Sequence, residues 1–197
     1  MQSLASWHAN EYRQRGGEAQ SAHTRNEQDV ALQKSPSTLS RLYARPGFLL
    51  RRAHQISAAV FEDACRDLAL TPAQFGVLTV LQAHPGMGQS SLARALGFDK
   101  VTVLRVLRGL EGRGFVARGP SGDNRRNVCV SLTAEGARLL QQAQKPAEKA
   151  YKRLMAPLDK AQQEQLLDLL QLLTGGLEEE ARAAFVPPPA PATRQAA

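Results

Sequence analysis

The sequence predicts a mainly α-helical chain with one small β-hairpin. Three observations carry that prediction. Four segments begin with a residue type that caps helices, at Thr71, Asp99, Thr133 and Asp159. The apolar residues that follow recur at helical spacing. The stretch "FVARGPSGDNRRNVCVSLT" instead gathers two short runs of strand-formers around a Gly/Pro/Asn/Asp turn. At 197 residues, 43% of them hydrophobic, the chain has room for a real core: one domain with tails, or a domain plus an oligomerisation element.

Taken in order, residues 1–43 are rich in Gln, Ser, Gly and charge and lack periodicity, which predicts a flexible arm. Residues 44–69 carry one apolar stripe through Leu49, Ala53, Ile56, Val60, Ala64 and Leu68, and a second through Leu50, His54, Phe61 and Cys65. A helix that is apolar on two sides packs against two things, so this one is expected to be shared between a domain and a partner. In "LTPAQFGVLTVLQAHPG", Thr71 is the N-cap, Pro72 sits at the first helical position and Gln74 completes a capping box. Leu70 and Phe75 flank them as a hydrophobic staple, and the helix stops before Pro85-Gly86. A short helix follows in "QSSLARALG", with Leu92, Ala93 and Leu96 inward and Gly97 making the turn.

The next helix lies in "FDKVTVLRVLRGLEGRGF". Asp99 caps it, Phe98 and Val103 staple it, and Gly114 ends it. Val103, Val106, Leu107 and Leu110 form one buried face. At roughly 100° per residue, the opposite side holds Val101, Arg105, Arg108 and Gly112, flanked by Thr102 and Leu104. Gly109 and Gly112 weaken a helix by roughly 0.5–1 kcal/mol each, and close packing is the expected compensation. The hairpin comes next, with a basic tip. Thr133 then opens a helix that Pro146 is expected to bend or interrupt. Asp159 and Gln162 open the last helix, whose leucines at 166, 167, 169, 170, 172 and 173 cover too much circumference for one small domain. A second subunit is the economical cover. The expected organisation is an arm over 1–43, a dimerisation helix over 44–69, a helix-and-hairpin domain over 70–132, dimerisation helices over 133–184 and a disordered Pro/Ala tail over 185–197.

Helix, short helix, tight turn, helix and basic hairpin is the layout of a winged helix-turn-helix. The second helix of such a turn lies in the major groove, where all four base pairs present distinct edges. On that layout Arg105 is the candidate for guanine O6 and N7, Lys100 and Thr102 for phosphates or base edges, and Val101 for a thymine methyl. Ser90, Leu104 and Arg108 complete the candidate surface. At the hairpin tip, Asn124, Arg125 and Arg126 suit a narrow minor groove or phosphates. The net charge of +7 attracts polyanions. Taken singly, Arg105 and Arg108 fit a solvated helix face better than a DNA contact; the capped pair beside a basic hairpin shifts the balance to DNA.

The residues from "LTPAQFGVLTVLQAHPG" through "SLTAEGARLL" resemble the MarR family of transcription regulators over about residues 45–180. The motifs are "LT..Q...L..L", "LA..LG.DK.TV.R....LE.RG.V.R" and "LT.EG". The resemblance implies a homodimer joined by the first and last helices and bound to a near-palindromic operator on double-stranded DNA, usually as a repressor. It also implies a small aromatic-acid effector held between the dimerisation region and the DNA-reading domain. Two departures stand out. Asn124 occupies the usual place of the wing aspartate, with Asp123 one residue earlier, so Arg125 and Arg126 are both candidates for the wing contact. Leu104 stands where Thr or Ser is common, which removes one polar groove contact.

For the effector, the candidates are Arg51, Arg52 and His54 beside Phe48, Phe61 and Phe75: a cation and an imidazole next to rings suit a carboxylated aromatic. Arg52 facing solvent and His54 as a hydrogen-bonded core histidine are the plain alternatives. "RPGFLLRRAHQ" also resembles family members that control hydroxycinnamate and nicotinate breakdown, implying a hydroxylated pyridine- or benzene-carboxylate.

Other classes find less support. The four histidines are scattered, and there is no Gly-rich phosphate loop and no nucleophile–base set to nominate, so no enzyme and no catalytic set is expected. Cys65 and Cys129 make neither metal spacing nor a disulfide framework, and no metal or cofactor is expected. No apolar run approaches the ~20 residues of a membrane span, and a cytoplasmic location is expected. A non-specific architectural DNA binder and a thiol-sensing repressor remain as alternatives.

Overall fold

The computed structural model describes residues 38–120 and 128–189. The chain divides into two units, 1–45 and 46–197. In the first, α1 spans Thr38–Tyr43, so the last residues of the expected flexible arm are helical. Leu39, Leu42 and Tyr43 recur at i, i+3 and i+4, and the turn closes through Ala44 N donating to Ser40 O at 3.2 Å. Residues 1–37 lie outside the described residues.

The second unit begins with α2 (Pro46–Ala64), followed by a 3₁₀ turn at Arg66–Leu68. Both apolar stripes of α2 enter the core only in its C-terminal half. Phe61 and Cys65 are buried, with Val60, Ala64 and Leu68 packed around them, whereas Leu49, Leu50 and Ile56 are exposed. His54 is exposed as well, so it is not a core histidine.

Next comes α3 (Pro72–Ala83), with the expected capping box: Gln74 N donates to Thr71 Oγ1 at 3.3 Å, and Thr71 N donates to Gln74 Oε1 at 3.1 Å. β1 (Met87–Gly88) leads into α4 (Gln89–Ala95). Both α4 and the next helix, α5 (Lys100–Gly112), end in the same way. After α4, Gly97 N donates to Arg94 O and Phe98 N to Ala93 O. After α5, Gly114 N donates to Glu111 O and Phe115 N to Leu110 O. Gly97 (φ +61°) and Gly114 (φ +75°) adopt the left-handed conformation that this double closure needs. A short linker of fixed shape therefore joins α4 to α5.

β2 (Val116–Pro120) and β3 (Val128–Leu132) form the hairpin, in register from Val116↔Leu132 to Pro120↔Val128. β1 adds to its other side through Met87↔Val130, making an antiparallel sheet in the order β1-β3-β2. Sequence reading missed this third strand because two residues carry no periodicity.

α6 (Ala134–Met155) is continuous through Pro146, contrary to the expected interruption. The ring removes the amide that would bond Gln142 O, but Gln142 is exposed and water can serve its carbonyl. The buried residues Ala143, Ala147 and Ala150 lie on the side of α6 that packs against α2 and α3. Arg153 Nη1 ties the two helices by donating to Asp63 Oδ2 at 2.7 Å. That bond, with the neighbouring charge of Arg66, holds the Asp63 carboxyl below its ordinary range.

α7 (Lys160–Gly176) opens with the Asp159–Gln162 capping box and contributes no buried residue. Leu166, Leu167, Leu169, Leu172 and Leu173 are all exposed, the leucine at 172 to 74%. A 3₁₀ turn at Glu178–Glu180 follows. The expected tail starting at 185 is fastened at its beginning: Phe185 N donates to Glu178 Oε1 at 2.7 Å, and Val186 N donates to Arg94 O at 2.9 Å. Arg94 O, which also accepts from Gly97 N at the end of α4, supplies this second anchor.

Candidate nucleic-acid interface

α5 is built to show one face outward. Val103, Val106, Leu107 and Leu110 are buried, as the spacing predicts. They join Val77, Leu78 and Leu81 of α3 and Leu92 of α4 in one core. Asp99 fixes the start, its Oδ1 accepting from Thr102 N at 2.6 Å. That hydrogen bond is the main reason its carboxyl sits below the ordinary range, with Arg105 adding a smaller electrostatic pull. An anion at a helix N-terminus also complements the helix dipole.

With the aliphatic face inward, Lys100, Arg105 and Arg108 are exposed, and Val101 is 75% exposed. Thr102 and Leu104 are half-buried at the margins, and Ser90 is exposed at the start of α4. Among the described residues none of the three cations is engaged in an ion pair. The surface is an apolar methyl set among free cationic donors, which matches the chemistry of groove edges and phosphates. Asn124, Arg125 and Arg126 belong to the hairpin tip and lie outside the described residues.

The glycines of α5 divide. A Cβ at Gly109 would meet Gln74 Nε2 at 3.5 Å, an ordinary contact, while at Gly112 it would meet nothing within 4 Å. Close packing therefore does not compensate Gly112.

Three side chains tie the end of α5 to its neighbours. Arg118 Nε on β2 lies 3.1 Å from Glu111 Oε2 near the end of α5. Thr133 caps α6 through Gly136 N (3.0 Å) while its hydroxyl donates to Gly114 O at 2.7 Å. Arg113 reaches back to the turn before α3, donating to Ala69 O at 2.6 Å and Leu68 O at 2.8 Å. Sequence reasoning passed over Arg113, whose partners lie more than forty residues away.

The effector candidates fall into separate places. Phe61 is buried, with its ring centroid 5.5 Å from that of Phe75 and 6.2 Å from that of Tyr151, a residue sequence reasoning did not single out. Burial is the main cause of the raised Tyr151 pKa. Phe48 is half-buried near the start of α2, where the Arg51 guanidinium stands 5.1 Å from its ring centroid; Arg51 also donates to Gln55 Oε1 at 3.3 Å. Arg52 and His54 are exposed. An open groove of about 610 Å³ is lined by Gln144, Lys145, Glu148, Lys149 and Lys152 of α6, none of them a predicted effector residue.

Cys65 is buried and its thiol is pushed up by desolvation, the reverse of what a reactive thiolate needs. Among the described residues no group of three or more His, Cys, Asp or Glu gathers as a metal site, and no helix is long and apolar enough to cross a membrane.

Two helices joined by a tight turn, the second capped by Asp99, with an antiparallel hairpin behind it, define a winged helix-turn-helix DNA-binding protein. The MarR family model matches residues 70–128. The transcriptional repressor Rv2887 of Mycobacterium tuberculosis is 32% identical over 127 residues, covering 64% of this chain and 91% of the relative. The solved structure of the repressor CouR bound to a 23-mer DNA duplex is 33% identical with a TM-score of 0.64, covering 71% of this chain and 99% of CouR. CouR has also been solved with p-coumaroyl-CoA, at 32% identity and a TM-score of 0.63, covering 68% and 94%. BpsR of Bordetella bronchiseptica, whose DNA binding is regulated by 6-hydroxynicotinic acid, is 30% identical with a TM-score of 0.63, covering 67% and 94%. The chain belongs to the MarR family of DNA-binding transcriptional regulators.

Proposed function

We propose that this protein is a homodimeric repressor that binds a near-palindromic operator and releases it when a small aromatic carboxylate binds. The observation that carries the reading is the outward face of α5: Lys100, Val101, Arg105 and Arg108 exposed together on a helix whose other side is wholly core. In this reading Arg105 contacts guanine, Lys100, Thr102 and Ser90 take phosphates or base edges, and Val101 meets a thymine methyl. Arg108 and Leu104 border the contact, and Asn124, Arg125 and Arg126 extend it into the neighbouring minor groove. The exposed leucines of α7 and the exposed half of α2 are the surfaces that a second copy would cover.

The effector class draws support from BpsR, whose DNA binding is regulated by 6-hydroxynicotinic acid; CouR has been solved with the CoA thioester of a hydroxycinnamate, which shares the hydroxylated ring but not the free carboxylate. A hydroxylated nicotinate or hydroxycinnamate type of ligand, controlling a catabolic operon, fits the cations and rings of α2. Arg51 with Phe48, together with Arg52 and His54, would meet the carboxylate, while the Phe61–Phe75 pair stands apart from them, with Phe61 in the core.

Two measurements test the reading. Arg105→Ala is expected to weaken binding to a selected operator by roughly 1–3 kcal/mol and to leave binding to random DNA unchanged. Equal losses on both would remove the base-contact role. A thermal-shift panel containing 6-hydroxynicotinic and p-coumaric acids is expected to raise the melting temperature for at least one member. A panel without any shift would remove the effector class.

A further inference from the structure

We propose that Arg113 is a positioning residue: a latch that fixes the groove-reading helix to the foot of the dimerisation helix and so sets which half-site spacing the dimer accepts. This rests on the reading of α5 and of the dimer given above. Arg113 is the C-cap of α5, its backbone N–H donating to Glu111 O, and Gly114 at φ +75° turns the chain away immediately after it. Its side chain does not trail into solvent. The two guanidinium nitrogens take separate carbonyls, Ala69 O at 2.6 Å and Leu68 O at 2.8 Å, while the group stands 4.7 Å from the Phe115 ring centroid.

Those carbonyls belong to the last residue of the 3₁₀ turn and to its C-cap, where the chain passes from α2 to α3. The same turn contains Ala69 at φ 46°, ψ 49°, the one non-glycine residue with positive φ among the described residues. A left-handed alanine is disfavoured by contact between its Cβ and the following carbonyl, so the conformation persists where its surroundings enforce it. A planar fork that grips two successive carbonyls supplies that enforcement at the hinge, charge-assisted and stacked on a ring. Both ends of the latch bear on angle. One end is fixed to the terminus of α5, and the other to the joint from which α2 departs. Lysine, with a single ammonium on a flexible stem, lacks the fixed fork that grips two carbonyls at once.

Spacing is the property that such a latch controls. One base pair inserted between half-sites moves one of them by about 3.4 Å and rotates it by roughly 34°. A rigid dimer loses one contact set, whereas a dimer with a loosened joint follows the displaced half-site.

The experiment begins with wild-type protein selecting duplexes from a library randomised over about 30 base pairs, three helical turns. Fluorescence anisotropy then gives Kd for the selected duplex and for the same duplex with one base pair inserted between its half-sites. Wild type is expected to lose about tenfold or more on insertion, in the range of a single disrupted base contact. For Arg113→Ala the ratio is expected to fall below about threefold, with weaker binding to the selected duplex; Arg113→Lys should be intermediate. An Arg113→Ala protein that melts earlier yet keeps the wild-type ratio overturns the latch, because a merely structural role lowers stability without changing spacing preference. If Arg113→Ala does not fold, a wild-type ratio in Arg113→Lys overturns it equally. Should wild type select no paired half-sites, the two-copy reading fails first and the latch fails with it.

Discussion

At the scale of single residues, glycines with the same sequence appearance turn out to hold opposite positions. A Cβ at Gly136 would sit 2.0 Å from the Phe115 carbonyl oxygen and 2.9 Å from its carbon. The first turn of α6 thus presses on the chain leaving α5, in the same place where Thr133 N donates to Phe115 O at 3.1 Å. Neither neighbour is a flexible side-chain end, so Gly136→Ala must displace backbone. The expected cost is about 3 kcal/mol, the upper part of the usual overpacking range. Gly109 and Gly112 leave room for a methyl, and alanine at either should stabilise by roughly 0.5–1 kcal/mol through helix propensity. Urea denaturation of the three variants checks all of this, since the signs differ. A neutral Gly136→Ala would mean that the close approach does not exist in solution. The motif "LT.EG" marks Gly136 in the sequence but hides its reason, a contact with a residue 21 positions earlier.

At the scale of elements, what was legible is what is local. The capping boxes at Thr71 and Asp159, the cap at Asp99, the buried face of α5 and both hairpin strands depend on residues within one or two turns, and all are present. What was illegible depends on partners far along the chain. β1 exists because β3 offers an edge, Arg113 is held by carbonyls on another element, and Phe185 and Val186 are fastened by Glu178 and Arg94. The candidate site divides along the same line. The face of α5 is a local property, whereas six effector candidates chosen by chemistry do not gather around one cavity. Pro146 is the clearest case of tertiary packing overriding a local rule. The buried alanines at 143, 147 and 150 lie where α6 packs against α2 and α3, and that packing carries the helix through a residue that opposes it. Pro146→Ala should therefore stabilise the protein without changing its helix content. The gain is expected at about 1–2 kcal/mol, below the ~3 kcal/mol propensity difference because the ring also restricts the unfolded chain. Denaturant midpoints with far-UV circular dichroism check it; a rise in helix content would show that the proline does interrupt α6.

At the scale of the whole molecule, the open question is what covers α7. Leu169 and Leu172 stand three residues apart, 56% and 74% exposed, on a helix with no fully buried residue among the described residues. An amphipathic surface of that size is hard to reconcile with a monomer in water. Placing carboxylates there by Leu169→Glu with Leu172→Glu leaves the core of α2 to α6 untouched, because neither leucine belongs to it. In a dimer, however, two unpaired charges per subunit would be buried at the interface, which is costly. The double variant is expected to run at half the wild-type mass in multi-angle light scattering while keeping its circular dichroism spectrum. Its affinity for the selected operator should fall by about 10²–10⁴, because the second half-site is no longer reached by a tethered copy. Affinity for a single half-site should be nearly unchanged, since α5 and its supports are intact. These readouts separate the causes. A variant that stays dimeric would exclude the α7 leucines from the interface. A variant that is monomeric yet binds the full operator like wild type would show that one copy suffices, and the pairing of two reading helices would then have no part in recognition.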